Sequence, residues 1–197
     1  MDLDRRQMIA TAPAAGLAAV LAGCATPRTS LGLAAPDNLY RTDEPAKILA
    51  AAREIIAEDW VATLITVDQQ GMPRARSVGV NDPLPDLTIW MSTRRNSRKV
   101  DQIRKHPQAT LHFARDSLGE NFKGAYYASL MGEAFVHLDP QRFGEHAPTG
   151  ETRKQYWPNF PHDYAAIRFK PRWLEVYGRG IQWEADTWQP QGVALPA

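Results

Sequence analysis

The segment Ser97-Arg98-Lys99 carries residue types that are well suited to binding an anion. It follows a predicted strand and begins a short predicted helix, which Pro107 ends. Ser97 is a favoured N-cap residue, and the free N–H groups of a helix N-terminus attract negative charge. Arg98 and Lys99 disfavour the helix itself, because cations are better placed at its C-terminus, but they favour a bound phosphate. On spacing alone, a solvated basic helix face is an equal alternative.

The composition is that of a globular protein without a general attraction for nucleic acid. The chain has 197 residues, of which 44% are hydrophobic and 23% are charged, and its net charge is +1. These values are typical of one soluble domain. No nucleic-acid partner is predicted, because the one dense basic cluster is not part of a recognisable binding module. That cluster consists of Arg94, Arg95, Arg98, Lys99, Arg104 and Lys105.

The residues that most often hold metals or act as nucleophiles form no recognisable motif. None of the five histidines is paired at the spacing of a helical metal motif, and the single cysteine excludes an intrachain disulfide. The sequence therefore predicts no metal site. It also shows no catalytic triad or acid–base pair, so no catalytic residue is assigned.

The first 23 residues have the order of features found in export signals. Arg5 and Arg6 precede an apolar run over residues 9–21, and small residues stand directly before Cys24. The run of 13 residues suits a signal sequence and is short for a membrane-spanning helix. This segment resembles a bacterial lipoprotein signal of the twin-arginine type. An N-terminal helix buried in the domain is the alternative.

This resemblance implies a mature protein that begins at Cys24 and carries a lipid on the cysteine sulfur. The protein would be anchored in the bacterial cell envelope and would face the periplasm after twin-arginine export. Residues 24–42 contain Pro, Gly, Ser and Thr without a strong period, as expected of a tether between an anchor and a folded domain. Because the twin-arginine route exports folded proteins, the signal also agrees with a cofactor that is bound before export.

Residues 43–180 are predicted to form one domain of mostly antiparallel strands, followed by a tail at residues 181–197. Gly71 marks a hairpin turn, and Gly132 predicts a bulge or bend in the longest strand. Helices are missing between most strands, which favours a small barrel over a doubly wound parallel sheet. The predicted strands are 61–67, 74–80, 87–92, 110–114, 126–137, 165–169 and 173–177, the predicted helices are 43–57, 97–106 and 139–145, and the main predicted loops are 116–123 and 149–163.

Three segments, in their order and spacing, resemble the pyridoxamine 5′-phosphate oxidase-like superfamily of FMN-binding split β-barrels. They are residues 71–78, residues 89–100 and residues 127–134. The patterns at residues 157–163 and 170–177 are most similar to the general stress protein 26 branch. The resemblance implies a mainly β fold, a six-stranded antiparallel split β-barrel of the FMN-binding type. It also implies a homodimer with FMN at the subunit interface.

The resemblance carries particular residues over to an FMN site. In the family, a strand arginine and a basic helix start contact the FMN phosphate, neighbouring strand positions lie beside the isoalloxazine ring, and an aromatic residue lies at the flavin edge. The corresponding residues are Arg76, Ser97, Arg98 and Lys99 at the phosphate, Ser77 and Val78 at the ring, Ser92 and Thr93 at the strand end that approaches the cofactor, and Tyr177 at the flavin edge.

Two departures separate the chain from pyridoxamine 5′-phosphate oxidase itself. Residues 178–186 lack the Arg-x-His-Asp-Arg type of stretch that holds the substrate phosphate, and Tyr127 stands where the oxidase has a flavin-binding glutamine. We therefore expect an FMN-dependent oxidoreductase with a small electron donor and acceptor other than pyridoxamine phosphate. The alternatives are a non-enzymatic flavin-binding stress protein, a split barrel that binds haem or a deazaflavin, and a lipoprotein with an empty barrel.

Overall fold

The computed structural model of the chain describes residues 44–115 and 124–196. The predicted signal, Cys24 and the tether lie outside the described residues, as does the predicted loop at residues 116–123. Everything described belongs to one unit. No helix in the described segments is long and apolar enough to cross a membrane.

The described residues form one antiparallel sheet of seven strands, four α-helices and a single 3₁₀ turn at Gly144–His146. The elements are α1 (Pro45–Glu58), β1 (Val61–Val67), β2 (Pro73–Gly79), β3 (Ile89–Arg94), α2 (Arg98–Lys105), β4 (Gln108–Arg115), β5 (Tyr126–His137), α3 (Pro140–Phe143), α4 (Gly150–Tyr156), β6 (Tyr164–Tyr177) and β7 (Gln191–Ala194). The strand order is β2-β1-β4-β5-β6-β3, and β7 pairs with β6. The predicted mainly β, antiparallel fold is confirmed, whereas the predicted count of six strands is too low by one.

The additional strand lies in the predicted tail. β7 extends the sheet beyond β6, with Val193 opposite Leu174. The segment has a single β-branched residue and lies between Pro190 and Pro196, so no local pattern predicts a strand there. Pairing with β6 supplies the hydrogen bonds that make this short segment a strand, and it covers part of an edge that would otherwise stay unpaired.

Two of the predicted strands are a single strand. β6 runs unbroken through Pro171, which lies opposite Gly132 of β5 at a shift in the ladder register. The predicted irregularity at Gly132 is therefore confirmed. Proline lacks the N–H that a regular ladder needs, and a bulge is a place where a strand tolerates it. The proline that divides the sequence pattern thus causes a local irregularity within one long strand.

Buried side chains form two clusters on opposite faces of β3 and β6. The main core packs one face of α1 against the inner face of the sheet, with Ile48, Leu64 and Phe169 among its fully buried members. The second cluster covers the opposite face and contains Trp90, Phe143, Trp157, Tyr164 and Ala166. The segment that covers it includes α4, which lies in the predicted loop at residues 149–163. None of the α4 residues is buried, so the helix has no apolar period from which to predict it.

Candidate anion-binding site

The basic segment lies where β3 ends and α2 begins. Ser97 occupies the N-cap position with an extended backbone, but its hydroxyl makes no capping hydrogen bond. The hydroxyl lies instead 3.2 Å from Thr93 Oγ1, at the end of β3. Val100 and Ile103 are buried and hold α2 against the main body of the domain. The predicted strand-to-helix context of the basic segment is therefore present.

Lys99 is half-buried beside the same strand end. Its Nζ donates a hydrogen bond to Thr93 Oγ1 at 2.9 Å, and Thr93 is only 4% exposed. Burial, together with the nearby charge of Arg76, lowers the pKa of Lys99. A lowered pKa means that the protein disfavours the ammonium at this position, as expected for a cation without a nearby anion.

Arg76 reaches the same region from β2. Its Nη1 donates to Thr66 Oγ1 at 2.6 Å, and its Nη2 donates to Gln102 Oε1 at 2.9 Å. Burial lowers the pKa of Arg76, and the charge of Arg98 adds to this effect. The guanidinium remains charged, since arginine does not lose its proton in proteins. Its Nε hydrogen and one Nη2 hydrogen take no part in these bonds and can serve a ligand.

Gln102 and Thr66 are the part of this site that the sequence did not reveal. The buried Thr66 hydroxyl donates to Gln102 Oε1 at 2.7 Å, and the same oxygen accepts from Arg76. Gln102 follows Lys99 by three residues on α2, which places both side chains on one helix face. That spacing could have predicted that Gln102 lies near Lys99, but only the fold brings Thr66 of β1 to the same place.

The three cations have no anionic partner. We call Arg76, Arg98 and Lys99 the cation cluster. Among residues 44–115 and 124–196, none of the three forms an ion pair with a carboxylate. Arg76 and Lys99 are partly buried and are held by hydroxyls, and the exposed Arg98 adds a third positive charge beside them. Such a site would be stabilised by an anion. A phosphate monoester fits because arginine can bind it through two N–H groups and lysine as a point charge.

Three of the predicted cofactor residues lie outside the cation cluster. Ser77 is exposed on the outer face of β2, opposite to Arg76. Val78 is buried in the main core. Ser92 belongs with the second cluster, where its hydroxyl lies 3.0 Å from the hydroxyl of Tyr164. The predicted residues that the fold does bring together are the cation cluster and the two hydroxyl residues beside it, Thr93 and Ser97.

Tyr177 is distant from the cluster within one chain. Thr93 pairs with Ala165 near the start of β6, and Tyr177 is the last residue of that strand. Twelve residues separate Ala165 from Tyr177, which corresponds to about 40 Å along a strand at 3.3 Å per residue. One flavin mononucleotide is much shorter than this path. The length of this path favours an arrangement in which the two sets of predicted contacts at one flavin come from different subunits.

Tyr177 takes part in an aromatic stack. Its ring lies 3.8 Å from that of Trp183 with an angle of 9° between the planes, and Trp188 follows at 5.9 Å from Trp183. Trp183 Nε1 also donates to the hydroxyl of Tyr127 at 3.3 Å. Trp183 and Trp188 lie in the predicted tail, where no pattern linked them to Tyr177. One face of the Tyr177 ring is therefore already covered within the chain.

The outer face of β1, β2 and β4 carries no lysine, arginine, aspartate or glutamate. Its side chains are half-buried or exposed, and Trp60 lies beside it with 76% of its surface exposed. A face of small, apolar and uncharged residues with an exposed tryptophan has the composition of the centre of a protein interface. The face consists of Val61, Thr63, Ile65, Val67, Pro73, Ala75, Ser77, Gly79, Gln108, Thr110, His112 and Ala114.

No group of three or more His, Cys, Asp or Glu side chains in the described segments is arranged to hold a metal ion.

Comparison with known families finds one match. The model of the family described as pyridoxamine 5′-phosphate oxidase matches residues 48–177 of the chain, a range that contains the whole cation cluster. No curated protein matches the sequence.

Solved structures with the same fold are distant in sequence. A protein related to general stress protein 26 from Clostridium acetobutylicum has a TM-score of 0.55 and 20% identity, and the match covers 70% of this chain and 92% of that one. General stress protein 26 from Bacillus anthracis has a TM-score of 0.53 and 18% identity, covering 78% and 100%. A heme binding protein from Mycobacterium smegmatis has a TM-score of 0.53 and 16% identity, covering 75% and 57%. At these identities the likeness concerns the fold alone.

Proposed function

The chain belongs to the pyridoxamine 5′-phosphate oxidase family, and from this premise we propose that it is an FMN-binding flavoprotein that acts as an oxidoreductase. The observation that carries the proposal is the cation cluster, which has no carboxylate partner in the described residues. The flavin phosphate carries nearly two negative charges, and Arg76, Arg98 and Lys99 supply donors of matching charge beside the hydroxyls of Thr93 and Ser97.

When bound, FMN would supply hydride transfer between a small electron donor and a small acceptor. The protein would bind the phosphate through the cation cluster and hold the cofactor in a fixed position. Pyridoxamine phosphate is not the proposed substrate, because residues 178–186 lack the arginine- and histidine-containing stretch of the oxidase and Tyr127 replaces its glutamine. No side chain of the described residues is assigned a catalytic role.

We further propose that the protein is a homodimer with FMN at the subunit interface. The long path along β6 between Tyr177 and the residue opposite Thr93 supports contacts from two subunits. A partner subunit could bring its Tyr177, together with the stacked Trp183, to the cation cluster of the first. The uncharged outer face of β1, β2 and β4 supports the same assembly, because its composition resembles that of an interface centre.

The localisation remains a proposal that rests on the sequence. We propose that Cys24 carries a lipid and anchors the protein in the bacterial cell envelope, facing the periplasm. In that case Cys24→Ser should move the protein from the membrane fraction to the soluble fraction when cells are fractionated. An unchanged membrane fraction would contradict lipidation at this residue.

The first test of function is the absorption spectrum of the protein purified without denaturation, with mass spectrometry of the released ligand. FMN at about one per subunit supports the proposal. Haem or a deazaflavin would be recognised by its own absorbance and mass, and the proposed cofactor would then be that ligand instead of FMN. Addition of reduced nicotinamide and then of an acceptor would separate an oxidoreductase, whose flavin is reduced and reoxidised, from a protein that only stores flavin. A protein that takes up no ligand even in excess FMN would overturn the proposal.

A further inference from the structure

A small cavity lies between α4 and the segment that follows it. Its volume is about 260 Å³, and its walls are formed by Arg153, Lys154, Trp157, Pro158 and Phe160. Pockets for drug-sized ligands have volumes of roughly 300–1,000 Å³. This cavity therefore suits a smaller molecule with one or two rings.

The inner wall of the cavity is aromatic and rigid. Trp157 is 9% exposed and belongs to the second cluster, and Phe160 packs against that cluster. The indole Nε1 of Trp157 donates to the backbone oxygen of Thr93 at 2.9 Å, which fixes the plane of the ring. Two aromatic rings that are held in place offer a planar ligand a surface that costs little side-chain entropy to use.

Arg153 is the one cation of the cavity wall without a polar partner in the described residues. Its Cζ lies 5.0 Å from the centroid of the Phe160 ring, and its guanidinium forms no hydrogen bond or ion pair in residues 44–115 and 124–196. Lys154, in contrast, pairs with Glu151 at 2.7 Å. A guanidinium above an aromatic ring keeps its N–H groups free to bind a carboxylate through two hydrogen bonds.

From these contacts we propose that the cavity is a binding site for a small planar anion with the chemistry of a one-ring aromatic carboxylate. The ring packs against Trp157 and Phe160, and the carboxylate binds Arg153. Thr93 joins this site to the cation cluster, since its backbone oxygen accepts from Trp157 and its hydroxyl accepts from Lys99. The binding itself is independent of flavin, whereas a role of the bound anion as substrate rests on the proposed function.

The test is a fluorine NMR titration of the purified full chain with 4-fluorobenzoate and with its neutral analogue 4-fluorobenzamide. The benzoate is expected to bind about tenfold more tightly than the amide, because only the benzoate can form an ion pair with Arg153 through two parallel hydrogen bonds. Arg153→Gln should weaken benzoate binding about tenfold and leave amide binding unchanged. Phe160→Leu should weaken both ligands, since it removes a ring that both share. Trp157 is left intact because its buried indole also supports the second cluster.

Arg104→Gln is the matched control, since it makes the same change in the last turn of α2 and away from the cavity wall. It should leave both affinities unchanged, and unchanged amide binding by Arg153→Gln shows that this variant is folded. The proposal is overturned if the benzoate does not bind at millimolar concentration, or if it binds Arg153→Gln as tightly as the unmodified protein. The titration needs no flavin, so its failure leaves the FMN proposal standing. A protein that binds benzoate but no flavin would support the cavity proposal and contradict the FMN proposal.

Discussion

Partial burial and mutual repulsion make the charges of Arg76 and Lys99 unfavourable in the free protein, and the exposed Arg98 adds to the repulsion. Burial and neighbouring cations lower the pKa of both Arg76 and Lys99. Proteins often keep such unfavourable groups at functional sites, where a ligand later removes the cost. The cluster is therefore better explained by an anion that binds it than by a contribution to stability.

Replacing Arg76 and Lys99 together with alanine should abolish flavin retention while leaving the fold intact. Each charge-assisted hydrogen bond to the phosphate contributes about 1.5–3 kcal/mol, so loss of both cations should weaken binding at least about a hundredfold. The buried Thr66 hydroxyl keeps its hydrogen bond to Gln102 when Arg76 is removed. Flavin absorbance after gel filtration measures retention, and circular dichroism checks the fold.

The matched control for this double variant is Arg104→Ala with Lys105→Ala, which removes the same charge from the exposed last turn of α2. It should retain flavin as the unmodified protein does. A full flavin complement in the Arg76 and Lys99 variant would show that the phosphate binds elsewhere.

The residues of the candidate site could be predicted to different extents. The basic helix start and the strand end at Thr93 are neighbours in sequence, so a local pattern was sufficient to place them together. Arg76 joins them through the pairing of β2 with β1, and its position followed from the family resemblance and not from spacing. Gln102 and Thr66 were missed because their hydrogen bond joins residues 36 apart in the chain.

At the scale of the elements, Gly132 permits the close approach of β5 and β6. A Cβ at this position would overlap the backbone oxygen of Lys170 and lie 2.7 Å from Pro171 Cα. Gly132→Ala should therefore lower the free energy of unfolding by about 1–3 kcal/mol, as other overpacked sites do. Urea unfolding followed by circular dichroism measures this change.

Gly79→Ala is the control for that substitution, because a Cβ at Gly79 would meet only the Trp60 ring at an ordinary distance of 3.5 Å. Its free energy of unfolding should change by no more than about 0.5 kcal/mol. Equal effects of the two substitutions would mean that the β5–β6 approach at the bulge is not tight.

Glu58 links the end of α1 to the start of β5 and to the turn that follows β6. Its carboxylate accepts from the Tyr126 hydroxyl at 2.6 Å and pairs with Arg179. The hydrogen bond from Tyr126 and the charge of Arg179 lower the pKa of Glu58 below its ordinary value of 4.5. A carboxylate whose pKa is lower in the folded state stabilises the protein above its unfolded pKa, and this stabilisation is lost as the pH falls through the folded pKa.

The expected result is that Glu58→Gln is less stable than the unmodified protein at neutral pH, and that the difference shrinks as the pH falls below 4.5. Urea unfolding at a series of pH values measures it. Glu54→Gln on the same helix is the control, since Glu54 is exposed and its carboxylate has no hydrogen bond or ion pair in the described residues. If the difference in free energy of unfolding between Glu58→Gln and the unmodified protein stays constant down to pH 3, the role assigned to Glu58 is contradicted.

The elements show where sequence patterns were sufficient. α1, the β1–β2 hairpin and the Gly132 bulge were predictable because apolar period and turn residues act locally. β7 was not predictable, because its pairing with β6 and not its composition makes it a strand. The polar α4 was missed for a related reason: it buries none of its residues and shows no apolar stripe.

At the scale of the whole molecule, the predicted flavin contacts divide into two groups that a single chain keeps apart. The cation cluster lies at the β3–α2 junction, and Tyr177 with its stacked Trp183 lies at the far end of β6. A two-fold symmetric dimer would use each group twice and would form two equal sites, each built from both subunits. Such an arrangement makes flavin binding and dimer formation one coupled equilibrium, in which each stabilises the other.

Mixed dimers give a direct measurement of this arrangement. Arg76→Ala with Lys99→Ala removes contacts to the flavin phosphate. Tyr177→Leu keeps an apolar side chain but removes an aromatic ring, and it should weaken flavin binding roughly tenfold. If each site takes the cluster from one subunit and Tyr177 from the other, a mixed dimer of the two variants contains one site with no defect and one with both. After unfolding and refolding of an equal mixture, random pairing should then restore tight binding at about a quarter of all sites. Flavin titration of the mixture and of each variant alone measures this fraction. A mixture that binds no better than the average of its two components would mean that both groups act within one chain, or that Tyr177 does not contact the flavin.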